Sequence, residues 1–263
     1  MSGWLQRWSG WRRARTLQRR PIPDPLWEAT LARFPFLTQR PPAAVQRLRE
    51  LATLFLARKE FAGAGGLEVT DEMAVAIAAQ ACLPVLELGL EGYDGFVGIV
   101  VHPEPVAARR ESMDEVGVVH RYTEELSGEA MDGGPLMLAW SDVAGAADSA
   151  AWGYNVVIHE FVHVLDLHAA RAGLPKAAGI ASWARALAEQ HSDFVARVDA
   201  GEDTFLDPYG AEAIEEFLAV AAEAFFVAPA DLKLEEPDLY RLLADFFRQD
   251  PEADLRAASS GAA

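Results

Sequence analysis

The sequence has 263 residues, of which 51% are hydrophobic and 24% charged, with a formal net charge of −17 at pH 7. That composition excludes a disordered chain and suits one large domain or two small ones. The acidic balance excludes direct nucleic-acid binding by the folded body, because phosphate contacts need clustered Lys and Arg. No apolar run reaches the ~18 residues of a membrane span. No secretory signal is recognisable either. The single Cys82 cannot form an internal disulfide and reads as a buried thiol, so a cytoplasmic protein is expected.

Residues 1–20, MSGWLQRWSGWRRARTLQRR, hold six arginines and no acid. With Trp4, Trp8 and Trp11 at helical spacing they predict a basic arm. It would dock on the acidic body of its own chain or make weak contact with a membrane surface or a partner. PIPDP (21–25) and RPP (40–42) bracket a short helix. Over 43–61, apolar residues at 45, 48, 51, 52, 55 and 56 give a helical period, ended by GAGGLEVTD. Thr70 or Asp71 then caps a buried helix running to about residue 88. Three short apolar or β-branched segments, 96–103, 116–125 and 134–140, read as strands. Helices follow around 151–168, 181–199, 212–227 and 236–248. Helices, a small central sheet and more helices make an α+β fold. The chain divides into a basic arm (1–20), a main domain (21–252) and an alanine-rich tail expected to be disordered (253–263).

Within this frame, residues 159–166 read HEFVHVLD. Four residues turn a helix by ~400°, so His159 and His163 project from one face, one turn apart. Two imidazoles at that spacing can hold one Zn2+. Glu160 lies beside such an ion, where it can take a proton from zinc-bound water and pass it to a leaving amine. The helical stretch follows the strand candidate 134–140 after a short connection, and an exposed strand edge there could hold an extended peptide. The alternative is a helix with two hydrogen-bonded core imidazoles. Asp166 shares the face of His159 and His163 and can accept a hydrogen bond from a ligand histidine.

Catalytic zinc needs a third protein ligand and an open position. The extended pattern H-E-x-x-H-x-x-G-x-x-H fails, because Asp166 and Ala169 stand at its glycine and last histidine positions. His168 lies about 140° around the helix from His163, and His102, His120 and His191 are isolated. The helix at 212–227 offers Glu212, Glu215, Glu216 and Glu223. Glu212 and Glu215 suit an exposed first turn. Glu216 and Glu223 share an apolar face, where a carboxylate is costly without a cation. Spacing leaves both open.

These segments resemble the Mlc titration factor A family, gluzincin-type zinc metallopeptidases distantly similar to the catalytic domain of anthrax lethal factor. The resemblance covers KEFAGAGGLEVTDEMAVAIAAQACLPVLEL, GPLMLAWSDV, NVVIHEFVHVLD, DPYGAEAIEEFLAVAAEAFF and LYRLLADFFRQDP, about residues 25–252. It implies a mostly helical zincin-like domain whose small sheet lies beside the HExxH helix. It further implies His159, His163 and Glu216 as ligands of one Zn2+ per chain, Glu160 as general base, and Glu223 as an acid supporting the ligands. Tyr209 would stabilise the oxyanion of the tetrahedral intermediate, a fitting task for a phenol O–H. The implied substrates are peptides or proteins, small or unfolded, cleaved in aminopeptidase fashion. The implied partner is the sugar-responsive repressor Mlc. After HEFVHVLD the family usually continues through an Asp- and Gly-containing turn ending in Asn-Gly, where this chain has LHAARAGLPKAAG. His102 stands where a tyrosine is common. Two other readings remain: a regulator that sequesters a transcription factor with zinc only structural, and a peptidase covered by its own terminal segment.

Overall fold

The computed structural model describes residues 13–113, 119–126, 128–130, 134–172 and 180–260, with side chains over 13–105, 134–166 and 182–258. Trp4, Trp8 and Trp11 lie outside these residues. Residues 13–19 are helical, and Leu17 packs on the core.

Helices α1 (Asp24–Arg33) and α2 (Pro42–Leu56) each carry a proline in the first turn, where its missing N–H costs nothing. α2 buries Leu48, Leu51, Ala52 and Phe55 and stops at Leu56, short of the expected 61. Lys59 anchors the chain just beyond, its Nζ donating to the carbonyls of Tyr93 and Phe96 at 2.5 Å each and lying 3.7 Å from the Phe96 ring centroid. Strand β1 (Glu60–Gly63) follows. Helical periodicity cannot reveal it, because a strand is defined by a partner elsewhere in the chain. Thr70 caps α3 (Asp71–Ala81), its hydroxyl accepting from Met73 N–H at 3.3 Å. α3 ends at Ala81 rather than near 88, ahead of Pro84.

The strands that come next are β2 (Gly98–His102), β3 (Val106–Met113), β4 (Val119–Leu126), β5 (Gly128–Ala130) and β6 (Leu136–Ala139). The main sheet has the order β1-β2-β6-β5, with β1, β2 and β6 parallel and β5 antiparallel to β6. Two expected strands, 96–103 and 134–140, are found as β2 and β6. The third, 116–125, overlaps β4, which pairs with β3 in a separate antiparallel ribbon from Val106↔Leu126 to Met113↔Val119.

A further helix, α4 (Trp140–Ser149), occupies the expected short connection. A left-handed turn at Gly153 (φ 77°) separates it from α5 (Val156–Ala172), the HExxH helix. The chain continues through α6 (Ile180–Asp199), α7 (Ile214–Val227), α8 (Pro229–Glu235), α9 (Pro237–Phe247) and α10 (Pro251–Ser260). α8 and α10 are additions to the expected helices, since each opens on a proline that reads as punctuation in sequence. The alanine-rich end is therefore helical to Ser260 rather than disordered from 253. Buried Glu252 holds it, accepting from Lys233 Nζ at 2.7 Å while its own N–H donates to the Tyr240 hydroxyl at 2.9 Å.

The fold is α+β, mostly helical with a small sheet. α5 packs against β5, β6 and α7. Its Phe161 sits 5.5 Å from Phe55, 5.0 Å from Tyr93 and 5.9 Å from Phe96, centroid to centroid, which fixes the rotation of the helix. Cys82 is buried, and burial pushes its thiol well up. No helix among the described residues is long and apolar enough to cross a membrane.

Candidate metal centre

The site begins at the cap of α5. Asn155 Oδ1 accepts from Ile158 N–H at 3.0 Å, satisfying one of the free donors of the first turn. The glycine turn before it runs close to α7: a Cβ on Gly153 would stand 3.3 Å from Ala224 Cβ. Val157, Ile158, Phe161 and Val162 are buried, which leaves His159 and His163 on a partly exposed face with ring centroids 4.8 Å apart. α7 lies alongside, its buried Ala219, Ala221 and Ala222 keeping that helix slim.

Glu216 and Glu223 stand on α7 two turns apart, and the His159 ring spans the gap. Its Nε2 lies 3.1 Å from Glu216 Oε2, and its Nδ1 lies 2.7 Å from Glu223 Oε1. His163 Nε2 completes a triangle, 3.1 Å from His159 Nε2 and 3.2 Å from Glu216 Oε2. Two imidazole nitrogens and a carboxylate oxygen converging in this way suit a cation. Zinc bonds of about 2.0–2.1 Å in a tetrahedron put ligand atoms roughly 3.3–3.4 Å apart, so the triangle needs only a slight expansion. Among the described residues this is the group of His, Cys, Asp or Glu side chains that could hold a metal ion.

Glu160 is buried against the same cluster, and its Oε2 has no hydrogen-bond partner. Burial, opposed by His159 and His163 and aided by Glu216 and Glu223, pushes its carboxyl up to about 7. Burial by itself would lower His159, but the hydrogen bonds to Glu216 and Glu223 prevail and hold it up at about 10. Glu216 shows the reverse balance: burial would raise it, and the two histidines bring it down to about 2. Burial raises Glu223 as well, despite His159 and the Asn155 N–H. A raised His159 beside these carboxylates marks a place that favours positive charge, which a divalent cation would supply.

Tyr209 stands at the open rim, 38% exposed, with its ring centroid 6.2 Å from that of His159. It sits on a 3-10 turn, Pro208–Ala211, started by Asp207 Oδ1 accepting from Tyr209 N–H at 2.9 Å. Asp166 is half-buried; burial and Glu215 raise its carboxyl against the pull of His163. Among the described residues it makes no hydrogen bond to His159 or His163, and the carboxylate against a histidine Nδ1 is Glu223. Glu212 and Glu215 are exposed. His102 ends β2, and His191 lies 5.4 Å from the Phe217 ring; neither joins the triangle. The side chains of His120 and His168 lie outside the described residues.

Two residues are absent from the sequence reading. Asn155 Nδ2 donates to Gln80 Oε1 at 2.8 Å, and the Asn155 N–H donates to Glu223 Oε2. The signals for them were faint: an asparagine just before VVIHE, and one amide in the apolar run MAVAIAAQA.

A model of the family described as glucose-regulated metallo-peptidase M90 matches residues 8–248. An uncharacterized protein of Synechocystis sp. is 34% identical over 250 residues, covering 93% of this chain and 90% of its own length. Mlc titration factor A of Pectobacterium atrosepticum is 36% identical over 237 residues, 88% of each chain. Mlc titration factor A of Cronobacter sakazakii is 34% identical over 252 residues, covering 94% of this chain and 93% of its own.

Proposed function

The chain belongs to the glucose-regulated metallo-peptidase family M90, and on that premise we propose that it is a zinc-dependent peptidase. The observation that carries the reading is the triangle of His159 Nε2, His163 Nε2 and Glu216 Oε2 beside the unpartnered, buried Oε2 of Glu160. The three ligands hold one Zn2+ per chain. When bound, the ion supplies the Lewis acidity that polarises a peptide carbonyl and makes water acidic near neutral pH. Glu160 moves the proton, its carboxylate taking it from the attacking water and delivering it to the leaving amine. Glu223 accepts the Nδ1–H of His159 and so keeps the Nε2 lone pair for the ion. The Tyr209 phenol donates to the carbonyl oxygen as negative charge builds there. Asp166 acts through its charge near His163.

β6, where the sequence pointed to a free edge, is flanked by β2 and β5; β5 is the end strand of the main sheet among the described residues and packs on α5, so its edge suits the backbone of an extended peptide. The substrate class is peptides or unfolded proteins, cleaved in aminopeptidase fashion, in the cytoplasm, by a domain that runs from about residue 21 through α10. Elemental analysis together with a panel of aminoacyl and peptide chromogenic substrates tests this on wild type and Glu160→Gln. One zinc per chain in both proteins, with hydrolysis in wild type alone, is the expected result. Absence of stoichiometric metal in both would return α5 to a helix with two hydrogen-bonded histidines.

The relatives named Mlc titration factor A favour a second activity, compatible with the first: binding a transcriptional repressor of that kind, for which zinc need only hold the fold. Glu160→Gln separates the two, since it should end hydrolysis and leave repressor binding intact.

A further inference from the structure

His159 can serve a cation only in one tautomer and one ring orientation, and a chain of buried groups dictates both. The Asn155 backbone N–H donates to Glu223 Oε2, while Glu223 Oε1 faces His159 Nδ1 at 2.7 Å. A backbone N–H can only donate, so Oε2 is the acceptor there, and the pinned carboxylate presents Oε1 to His159 Nδ1. Nε2 is thereby the nitrogen turned toward His163 and Glu216, the one a cation would use. The Asn155 amide is equally determined. Its Oδ1 accepts from Ile158 N–H at 3.0 Å, so Nδ2 is the donor that meets Gln80 Oε1 at 2.8 Å, and Gln80 Nε2 donates to the Ala76 carbonyl at 3.1 Å. A backbone donor at one end and a backbone acceptor at the other leave neither amide a second way round. Gln80 and Asn155 are fully buried, and the chain they form joins α3 to the start of α5 and to α7 behind the metal centre.

We propose that Gln80 and Asn155 are positioning residues for the metal ligand His159, acting through Glu223. The inference rests on the reading of His159 as a ligand. A buried amide that merely joined α3 to α5 would stabilise the fold and leave the affinity for metal unchanged. One that positions the ligand changes the affinity, and does so only while Glu223 transmits the effect.

The experiment is Zn2+ affinity by competition with a chromophoric chelator, with the Tm of the metal-free protein measured on the same samples. It compares wild type, Gln80→Leu, Glu223→Gln, the double variant, and His163→Ala. Removing a direct partner of a ligand histidine weakens binding about 10–100-fold, which is the expectation for Glu223→Gln. Gln80→Leu, two links further out, should weaken it on the order of 3–10-fold, and this loss should vanish in the Glu223→Gln background. Wild-type affinity in Gln80→Leu, with or without a lowered Tm, overturns the proposal. So does a loss that adds in full to that of Glu223→Gln. If His163→Ala binds Zn2+ as tightly as wild type, the metal reading itself has failed. Should Gln80→Leu not fold, Asn155→Ser cuts the same link while its hydroxyl keeps the cap, and the same outcomes decide.

Discussion

Two polar networks in this molecule end in different ways. On the C-terminal side, the Tyr240 hydroxyl donates to Asp250 Oδ1 at 2.6 Å and accepts from Glu252 N–H at 2.9 Å. Lys233 Nζ donates to Glu252 Oε2 at 2.7 Å, and Arg256 pairs with the same carboxylate. Donors and acceptors meet within the network, and its product is the fixed packing of α8, α9 and α10. Between α3, α5 and α7 the chain runs from Gln80 through Asn155 and Glu223 to His159 and then stays open. Three ligand atoms crowd within 3.1–3.2 Å, and Glu160 Oε2 meets no partner. An orphan atom is not enough to mark a site. Buried Arg40 also leaves Nε and Nη2 unpartnered, but no ligand set converges on it. What distinguishes the metal centre is unsatisfied capacity converging from several elements on one point.

The largest expected effect falls on the open end. Glu160→Gln should lower kcat/KM for peptide hydrolysis by about 10²–10⁴, the usual worth of a positioned general base. Zn2+ content should remain one per chain, since the three ligands are untouched. Loss of the metal along with the activity would instead make Glu160 part of the framework and erase the contrast between the two networks.

The closed network should respond in the opposite currency. Tyr240→Phe removes the hydroxyl that joins Asp250 to Glu252 and should cost ~1–2 kcal/mol of stability. At this chain length that is about 2–8 °C in Tm. Zn2+ affinity should be unchanged. A variant that kept its Tm but bound Zn2+ more weakly would show that the two networks are coupled.

How far such differences can be read from sequence depends on whether their cause is local. His159, Glu160 and His163 were legible because helical geometry alone puts them on one side. Glu216 and Glu223 were legible as a pair, since seven residues return to one face. Spacing left their division of labour open, and the resemblance alone implied it: both touch His159, by different nitrogens, and Glu216 also meets His163. Gln80 is remote in sequence from Asn155, and an amide in an apolar helix announces burial without naming its partner. β1 was hidden for the same reason: its hydrogen bonds belong to β2, and its own four residues carry no alternation. α10 was misjudged from composition, where alanine, serine and glycine suggest a tail and the decisive residue is Glu252 at its buried start.

Removing the metal should make the open network sensitive to pH. The folded metal-free protein holds His159 at about 10, above the ordinary histidine value of 6.5. That contribution is fully present below 6.5 and is lost as pH rises toward 10. Glu160, held at about 7, keeps a proton that the unfolded chain gives up near 4.5, so its contribution is lost between those values. Glu216, lowered to about 2, acts in a more acidic window and adds no slope here. Between pH 6 and 9 the Tm of the chelator-treated protein should therefore fall relative to the Zn2+-loaded form, and the gap between them should widen by a few degrees. A gap that stayed constant or narrowed would mean that no proton stands in for the cation.

The smallest expected effect is at Asp166, which shares the face of the two histidines and yet hydrogen-bonds to neither among the described residues. Asp166→Asn should change Zn2+ affinity by less than about 3-fold, against the 10–100-fold expected for Glu223→Gln. What remains to Asp166 is its charge, felt across partly hydrated space near His163 and Glu215. Added salt should therefore shrink even that difference, because ions screen exposed charges over about 8–10 Å and leave a buried contact such as Glu223–His159 largely untouched. An effect at Asp166 as large as that at Glu223, and insensitive to salt, would move the support of the ligand shell from α7 to α5.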